Sequence, residues 1–471
     1  MSWLEKRFHL MGIGGAGMSA LACLLHARGA RVSGDDRADS PTLRALRAEG
    51  IPVALGHDPA HLAEVDILVP SSAIPKDEPE LLAAKERGIP VWHRGDLIAA
   101  LGEGKTVIAV AGTHGKSTTT AMLATIFVNA GLDPSFVIGA TPKPLGVNAR
   151  WGGGELFLVE ADEYDRTFLH FRPRVAVITN VEYDHPDTYA DLDAMFEAFA
   201  MFVRSVPEDG LVVVCADDAG CAEVLRRAGL PADQARPFLA DYGLNRGLWR
   251  ASNLRANALG GTDFSFHGFG INGEVSGSAS LRVPGEHNVL NALAALAVAD
   301  ACGVPASEGV RSLGEYQGAG RRFELRGEAR GVRVFDDYAH HPTEIKATLR
   351  GARQRYPLGN IWAIWQPHTY SRTAALLDQF ATAFDEADQV IVLPVYAARE
   401  RKEDLGFSAN ALNPIEIARK IRHRNVRNAA SFGDALGMLL SQVKGGDVII
   451  TLSAGDGNLI GERLLEMLNR T

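Results

Sequence analysis

Cysteine is scarce: there are four in 471 residues, Cys23, Cys215, Cys221 and Cys302. They form no CxxC pair, which excludes a thiolate zinc knot or a dithiol redox motif and leaves reduced structural thiols as the expectation. Positive charge is scarce too. The formal net charge is -9 and no run of Lys and Arg exceeds three residues. The field that draws in a nucleic-acid backbone is therefore missing. Long apolar runs are absent: "NVLNALAALAVADAC" at 288–302 is the most apolar helical stretch, and Asn291 and Asp300 interrupt it. It falls short of the roughly 18 residues that a membrane span needs. The start, "MSWLEKRFHLMGIGG", shows no basic segment followed by an apolar one, so the expectation is a cytoplasmic protein that is neither exported nor inserted in a membrane. There is no solenoid period and no low-complexity segment.

What is present suits a folded body. Hydrophobic residues are 46% and charged residues 22% of the chain, and the length calls for several domains of about 100–200 residues. "FHLMGIGG", "ARVSGDD" and "VDILVPSSA" read as short strands separated by helical segments, a βαβ lobe over residues 1–102. "GKTVIAVAGTHGKSTT" opens a second lobe, with further strands at "ELFLVEAD", "RVAVITNVEYDH" and "GLVVVCADD", running to residue 318. A third, 319–471, holds "VRVFDDYAHHP", "IWAIWQPH", "QVIVLPVYA" and "DVIITLSAGDGN", buried strands ending in polar residues where a doubly wound sheet places its ligands. The expected fold is α/β and three-lobed, with a Rossmann-like N-terminal domain, a P-loop ATPase-like central domain and a Rossmann-like C-terminal domain.

Two loops invite phosphates. Gly12, Gly14 and Gly17 fit G-x-G-x-x-G between strand and helix, and Asp35 ends the next strand where a ribose hydroxyl could be met. That geometry suits NAD, another nucleotide diphosphate, or a purely structural glycine turn. The second loop, Gly112 to Ser117, is a shortened P-loop ending in G-K-S. There Lys116 would reach the β- and γ-phosphates, Ser117 would hold Mg²⁺, and the N–H groups of Gly115 to Thr118 would wrap the phosphates. Glu160, Asp162, Glu163 and Asp165 cluster at the end of one strand, and Asp184 and His185 at the end of another. So many acids together point to a cation, with His185 a second metal ligand through a neutral imidazole.

Eight motifs in order, "GIGGAGMSALA", "AGTHGKSTTT", "VEADEYD", "TNVEYDH", "GEHNVLNALAA", "GRRFE", "DDYAHHPTEI" and "QPHTYSRT", make the chain resemble the Mur ligases of peptidoglycan assembly, and most closely their alanine-adding members. The resemblance implies that the first lobe takes a UDP-sugar, the second ATP and the third an amino acid. Two phosphate loops would then serve two nucleotides. It implies an ATP-dependent ligase, with Mg²⁺, that joins L-alanine to the lactyl carboxylate of UDP-N-acetylmuramate through an acyl phosphate. A monomer or homodimer is expected. The alternative is a murein peptide ligase, which attaches a tripeptide to the same sugar nucleotide and which Tyr164 in "DEYD" brings to mind.

The same resemblance assigns residues. ATP would meet Gly112, Thr113, His114, Gly115, Lys116, Ser117 and Thr118, together with His287, Asn291 and Arg322. Ser117, Glu160 and His185 would hold metal. Gly12, Gly14, Gly15, Ala16, Gly17 and Met18, with Asp35, Ser71 and Ser72, would contact the UDP part. Tyr338, His340, His341, His368 and Arg372 would line the amino-acid side, with His341 and Arg372 at the chemistry and Arg372 the carboxylate clamp. Between Lys143 and Lys346 there is no lysine, so the carbamylated lysine of some Mur relatives has no counterpart near Glu160, Asp184 and His185.

Overall fold

In the N-terminal region the apolar runs form four parallel strands, β1 (Arg7–Met11), β2 (Arg31–Asp36), β3 (Val53–Leu55) and β4 (Ile67–Pro70), in the order β3-β2-β1-β4. The computed structural model describes residues 2–230, 239–271, 273–408 and 411–470. Phe8 and Leu10 of β1 and Leu21, Leu24 and Leu25 of the helix Ala16–Ala27 pack into one core.

The central sheet has ten strands: β5 (Thr106–Ala111), β6 (Ser135–Val137), β7 (Ala149–Arg150), β8 (Leu156–Glu160), β9 (Val175–Ile178), β10 (Leu211–Cys215), β11 (Leu239–Gly243), β12 (Trp249–Ala256), β13 (Thr262–Gly270) and β14 (Gly273–Ser280). Their order is β14-β13-β12-β11-β10-β9-β5-β8-β6-β7. The β12–β14 meander is antiparallel, and the sequence reading did not anticipate it, although "TDFSFHGFG" in β13 alternates buried and exposed positions as a one-sided strand must. The apolar stretch at 288–302 falls in the helix Glu286–Ala301, which is buried on nearly every side between the helix Lys116–Asn129 and strands β10–β13. That double burial explains its composition. Among the described residues no helix is long and apolar enough to cross a membrane.

The third sheet comprises β15 (Glu324–Ala329), β16 (Val332–Asp337), β17 (Ile361–Trp365), β18 (Gln389–Val392), β19 (Val426–Asn428) and β20 (Val448–Leu452), in the order β15-β16-β20-β17-β18-β19. All neighbours are parallel except β15 and β16. Separate apolar clusters cover its two faces, one around Phe335 and Trp365, the other around Val334 and Ile449, as the period-2 alternation of strands requires. The four thiols are free, with Cys215 and Cys221 buried. Burial pushes both of these thiols up.

Candidate active site

The first loop leaves β1 at Gly12, whose φ is +70°. Gly15 opens the helix Ala16–Ala27 with no side-chain cap, so the first-turn N–H groups are free to receive an anion. Ser71, at the end of β4, lies against Gly12, where a Cβ would come within 3.1 Å of the serine Cβ. Gly14 N–H donates to Asp36 Oδ2 at 2.9 Å.

The second loop runs from β5 into the helix Lys116–Asn129. Gly112 has φ +133° and a Cβ there would fall 2.0 Å from Thr179 Oγ1; Gly115 has φ +82° and its Cβ would fall 2.6 Å from Asn291 Oδ1. Both positions demand glycine. Lys116 Nζ donates to the carbonyls of Gly112 (2.6 Å) and Thr113 (3.1 Å) and sits 2.7 Å from Glu163 Oε2. Burial presses the lysine pKa down, but Glu163, Asp162 and Glu160 outweigh it, so the ammonium is stabilised.

The four acids at the end of β8 and just after it have different partners. Glu160 Oε1 accepts from Ser117 Oγ at 2.9 Å and its Oε2 from Gly139 N–H at 2.6 Å. Glu163 pairs with Lys116. Asp162 pairs with Arg94 of the N-terminal domain, and Asp165 lies 3.0 Å from His93 Nε2. Only Glu160 and Glu163 thus face the phosphate loop, while the other two carboxylates tie the central domain to the N-terminal one.

Across the junction with the C-terminal domain, Arg372 is 4% exposed. Its Nε donates to Asp184 Oδ1 at 2.6 Å, its Nη1 to His368 Nδ1 at 2.9 Å, and its Nη2 lies 3.5 Å from His185 Nδ1. His185 has φ +55° and its Nε2 lies 3.5 Å from Glu163 Oε1, so Lys116, Glu163, His185, Asp184 and Arg372 form one chain of charge. Burial lowers the His185 pKa, but Asp184 and Glu163 raise it beyond its ordinary value. His368 is held at about 4, first by burial and then by Arg372. The same two causes hold His340 well below its ordinary value. Both imidazoles are therefore neutral beside a fixed guanidinium, His368 with its Nδ1 lone pair taken by Arg372.

A cavity of about 340 Å³ lies between the central and C-terminal domains, and His114, Gly115, Thr118, His287, Asn291 and Arg322 line it. Lys143, Tyr242, Tyr316, Asp337 and Glu344 also line it and were not singled out from the sequence. Asp337 is raised to about 6 by burial. Glu344 accepts from His340 N–H at 3.1 Å and lies 3.4 Å from both His114 Nδ1 and Arg322 Nη1.

Three segments match described Mur ligase domains: residues 7–106 the Mur ligase family catalytic domain, 110–299 the Mur ligase middle domain, and 321–455 the Mur ligase glutamate ligase domain. The chain belongs to the Mur ligase family. It is 42% identical to a UDP-N-acetylmuramate–L-alanine ligase of Paenarthrobacter aurescens, over 98% of this chain and 97% of the relative. It is 44% identical to one of Kineococcus radiotolerans, over 98% and 96%. Among solved structures, a UDP-N-acetylmuramate-alanine ligase of Thermotoga maritima superposes with a TM-score of 0.80 at 27% identity, covering 99% of both chains. A murein peptide ligase of Psychrobacter arcticus gives 0.75 at 29% identity, again over 99% of both.

In this Mur ligase three of the expected site residues stand elsewhere than the sequence suggested. Asp35 is fully buried, its oxygens facing His57, His61 and His9, so it cannot meet a ribose. The next residue, on the opposite face of β2, is the one that reaches the loop. Met18 is 3% exposed with its side chain in the hydrophobic core, which leaves only its backbone to the ligand side. His341 is 1% exposed, caps the helix Pro342–Arg355 by accepting from Thr343 N–H at 3.3 Å, and turns Nε2 to the Tyr183 carbonyl at 3.3 Å. With both ring nitrogens engaged it positions the helix Pro342–Arg355. His340, half-buried, donates from Nδ1 to the Tyr338 carbonyl at 2.9 Å, leaving Nε2 unprotonated. Tyr164 bridges the central and C-terminal domains through Arg399, whose guanidinium lies 4.7 Å from its ring centre. Ser72 Oγ is buried without a hydrogen-bond partner among the described residues.

Proposed function

We propose that this chain joins L-alanine to the lactyl carboxylate of UDP-N-acetylmuramate with ATP, through an acyl phosphate, in the synthesis of peptidoglycan precursor. The observation that carries this is the likeness, over 98% of the chain, to relatives named for that reaction. The site supplies the parts. The free N–H groups of the first loop and Ser71 suit a UDP diphosphate. The cavity between the central and C-terminal domains suits ATP, with Gly112 to Thr118 at its phosphates.

Ser117 Oγ and Glu160 Oε1, 2.9 Å apart, are hard oxygen donors of the kind Mg²⁺ takes. They would hold a first ion and His185 a second. Bound there, Mg²⁺ would neutralise charge on the phosphates. Lys116 adds its own positive charge to the loop that meets them. The lactyl carboxylate attacks the γ-phosphate and ADP leaves, giving the acyl phosphate. Arg372 has N–H groups left beyond those on Asp184 and His368, and these suit the alanine carboxylate. The alanine ammonium must lose a proton before its nitrogen attacks the acyl carbon, and His340, whose Nε2 is unprotonated, is a neutral acceptor near Arg372. Phosphate then leaves from the tetrahedral intermediate as the amide forms. The use of ATP and a UDP-sugar supports a cytoplasmic site for this reaction.

Phosphate release with ATP, Mg²⁺ and UDP-N-acetylmuramate tests the reading. L-alanine should stimulate it, and the L-alanyl-γ-D-glutamyl-meso-diaminopimelate tripeptide should not. Stimulation by the tripeptide alone would overturn it in favour of a murein peptide ligase.

A further inference from the structure

Behind the first phosphate loop, on the far side of β2, lies a buried cluster that the ligase reaction does not use. His9 belongs to β1, Asp35 to β2, His61 to the 3-10 turn Pro59–Glu64, and Glu80 to the first turn of the helix Pro79–Glu86. His9 is 2% exposed and both carboxylates are fully buried. One ligand atom from each of the four lies within 4.8 Å of the others. Around the ring, His9 Nε2 is 3.2 Å from Asp35 Oδ2, which is 2.9 Å from His61 Nδ1. That nitrogen is 3.7 Å from Glu80 Oε2, and Glu80 Oε1 is 3.2 Å from His9 Nε2. Four N and O donors at the corners of a tetrahedron with metal bonds of about 2.0–2.1 Å stand about 3.3–3.4 Å apart. With one atom taken from each residue, all four donors lie within 4.8 Å of one another, a spacing that a small inward shift would bring to that length.

Proton bookkeeping points the same way. Ser33 Oγ donates to the Phe8 carbonyl at 3.3 Å and lies 2.9 Å from His9 Nδ1, which donates to it in the tautomer that would bind a metal through Nε2. In that tautomer the neutral His9 ring carries its lone pair on Nε2, aimed at two carboxylates. That is repulsive unless a proton or a metal cation stands between them. Glu80 Oε1, fully buried, has no hydrogen-bond donor among the described residues. Two ionised carboxylates buried there without a cation would leave net negative charge in the core. A divalent ion on two carboxylates and two neutral imidazoles leaves none. The outer partners are those of a built metal site: Ser33 orients His9, and His57 Nδ1 holds the other Asp35 oxygen at 2.7 Å.

We propose that His9, Asp35, His61 and Glu80 form a structural site for a divalent transition ion of the zinc class in the N-terminal domain. Four protein ligands of mixed N and O type close the coordination sphere, as in a structural and not a catalytic site. The ion would join four elements beneath the first loop, next to Asp36, whose carboxylate holds Gly14.

The test uses the full chain, freed of any affinity tag and stripped with chelator, then exposed to Zn²⁺ or Co²⁺ and desalted. Elemental analysis should find one tightly held ion per chain, and the cobalt form should show the intense visible bands of a tetrahedral site. Chelator should lower the thermal midpoint of the wild-type protein. His61→Gln, at the rim of the cluster, should lose both the ion and the chelator effect. His57→Gln should weaken binding by about 10–100-fold. No retained ion, octahedral cobalt bands, or an ion held equally by folded His61→Gln would overturn the proposal. So would an imidazolium at His9, seen by NMR in protein saturated with Zn²⁺. If His61→Gln does not fold, the stoichiometry and cobalt spectrum of the wild type, with the His57→Gln affinity, decide by the same outcomes.

Discussion

Replacing Arg372 by alanine removes the guanidinium that joins the central and C-terminal domains. Its partner Asp184, 2% exposed, accepts at Oδ1 from Arg372 Nε and from His185 N–H. Without the arginine a buried carboxylate loses its main counter-charge, at a cost of about 3–5 kcal/mol. For domains of this size each kcal/mol moves the thermal midpoint by about 2–4 °C, so the affected transition should fall by roughly 6–20 °C at pH 7.5. The deficit should depend on pH with a definite sign. Burial pushes the Asp184 pKa up and Arg372 pulls it well below the ordinary value. A depressed carboxylate contributes stability above its unfolded pKa of about 3.9 that is lost as pH falls through the folded pKa. That contribution exists only in the wild type. His368 adds a second effect: its pKa, held at about 4 first by burial and then by Arg372, rises when Arg372 is removed, and its imidazolium then becomes a partial substitute for the lost cation as pH falls. The gap between wild type and variant should therefore be widest above pH 7 and narrow as pH falls below about 6.5. Calorimetry over a pH series measures it. A gap of under 2 °C, or one that widens toward acid, would refute the argument. In steady-state kinetics the same variant should raise KM for L-alanine by about 30-fold or more, from a loss of about 2–5 kcal/mol, and KM for ATP far less.

Lys116→Ala should abolish turnover and leave UDP-N-acetylmuramate affinity unchanged in calorimetry, because the two phosphate loops lie in different domains; equal losses for both nucleotides would count against that separation. His185→Ala should raise the Mg²⁺ concentration for half activity. In the wild type that concentration should climb as pH drops through the raised His185 pKa, since the imidazolium that Asp184 and Glu163 favour cannot bind a metal. With no lysine between 143 and 346, bicarbonate added after exhaustive degassing should not change activity, and restored activity would show that a carbamate forms. Gly115→Ala meets both a φ of +82° and Asn291 Oδ1 at 2.6 Å. It should cost about 1–3 kcal/mol in the loop, read as a rise in KM for ATP; an unchanged KM would mean the loop relaxes freely.

What the sequence determined by itself is what depends on neighbours along the chain. The alternation of apolar strands and helices, the glycines at 112 and 115, and the order of motifs are local patterns, because strand period, helix period and backbone conformation are set within a few residues. Partners were another matter. The four acids at the end of β8 and just after it look alike in sequence, yet one meets Ser117, one Lys116, and two the N-terminal domain. Asp35 and Asp36 are adjacent, but the pleat sends one into a histidine cluster and the other to Gly14. His340 and His341 are likewise adjacent, and only the helix cap distinguishes the structural ring from the one beside Arg372. The Arg372–Asp184 pair joins residues 188 apart. No pattern in the chain could announce it, because burial and distance between remote side chains come into being only when the three sheets pack against one another, and it is these that set each group's charge and role.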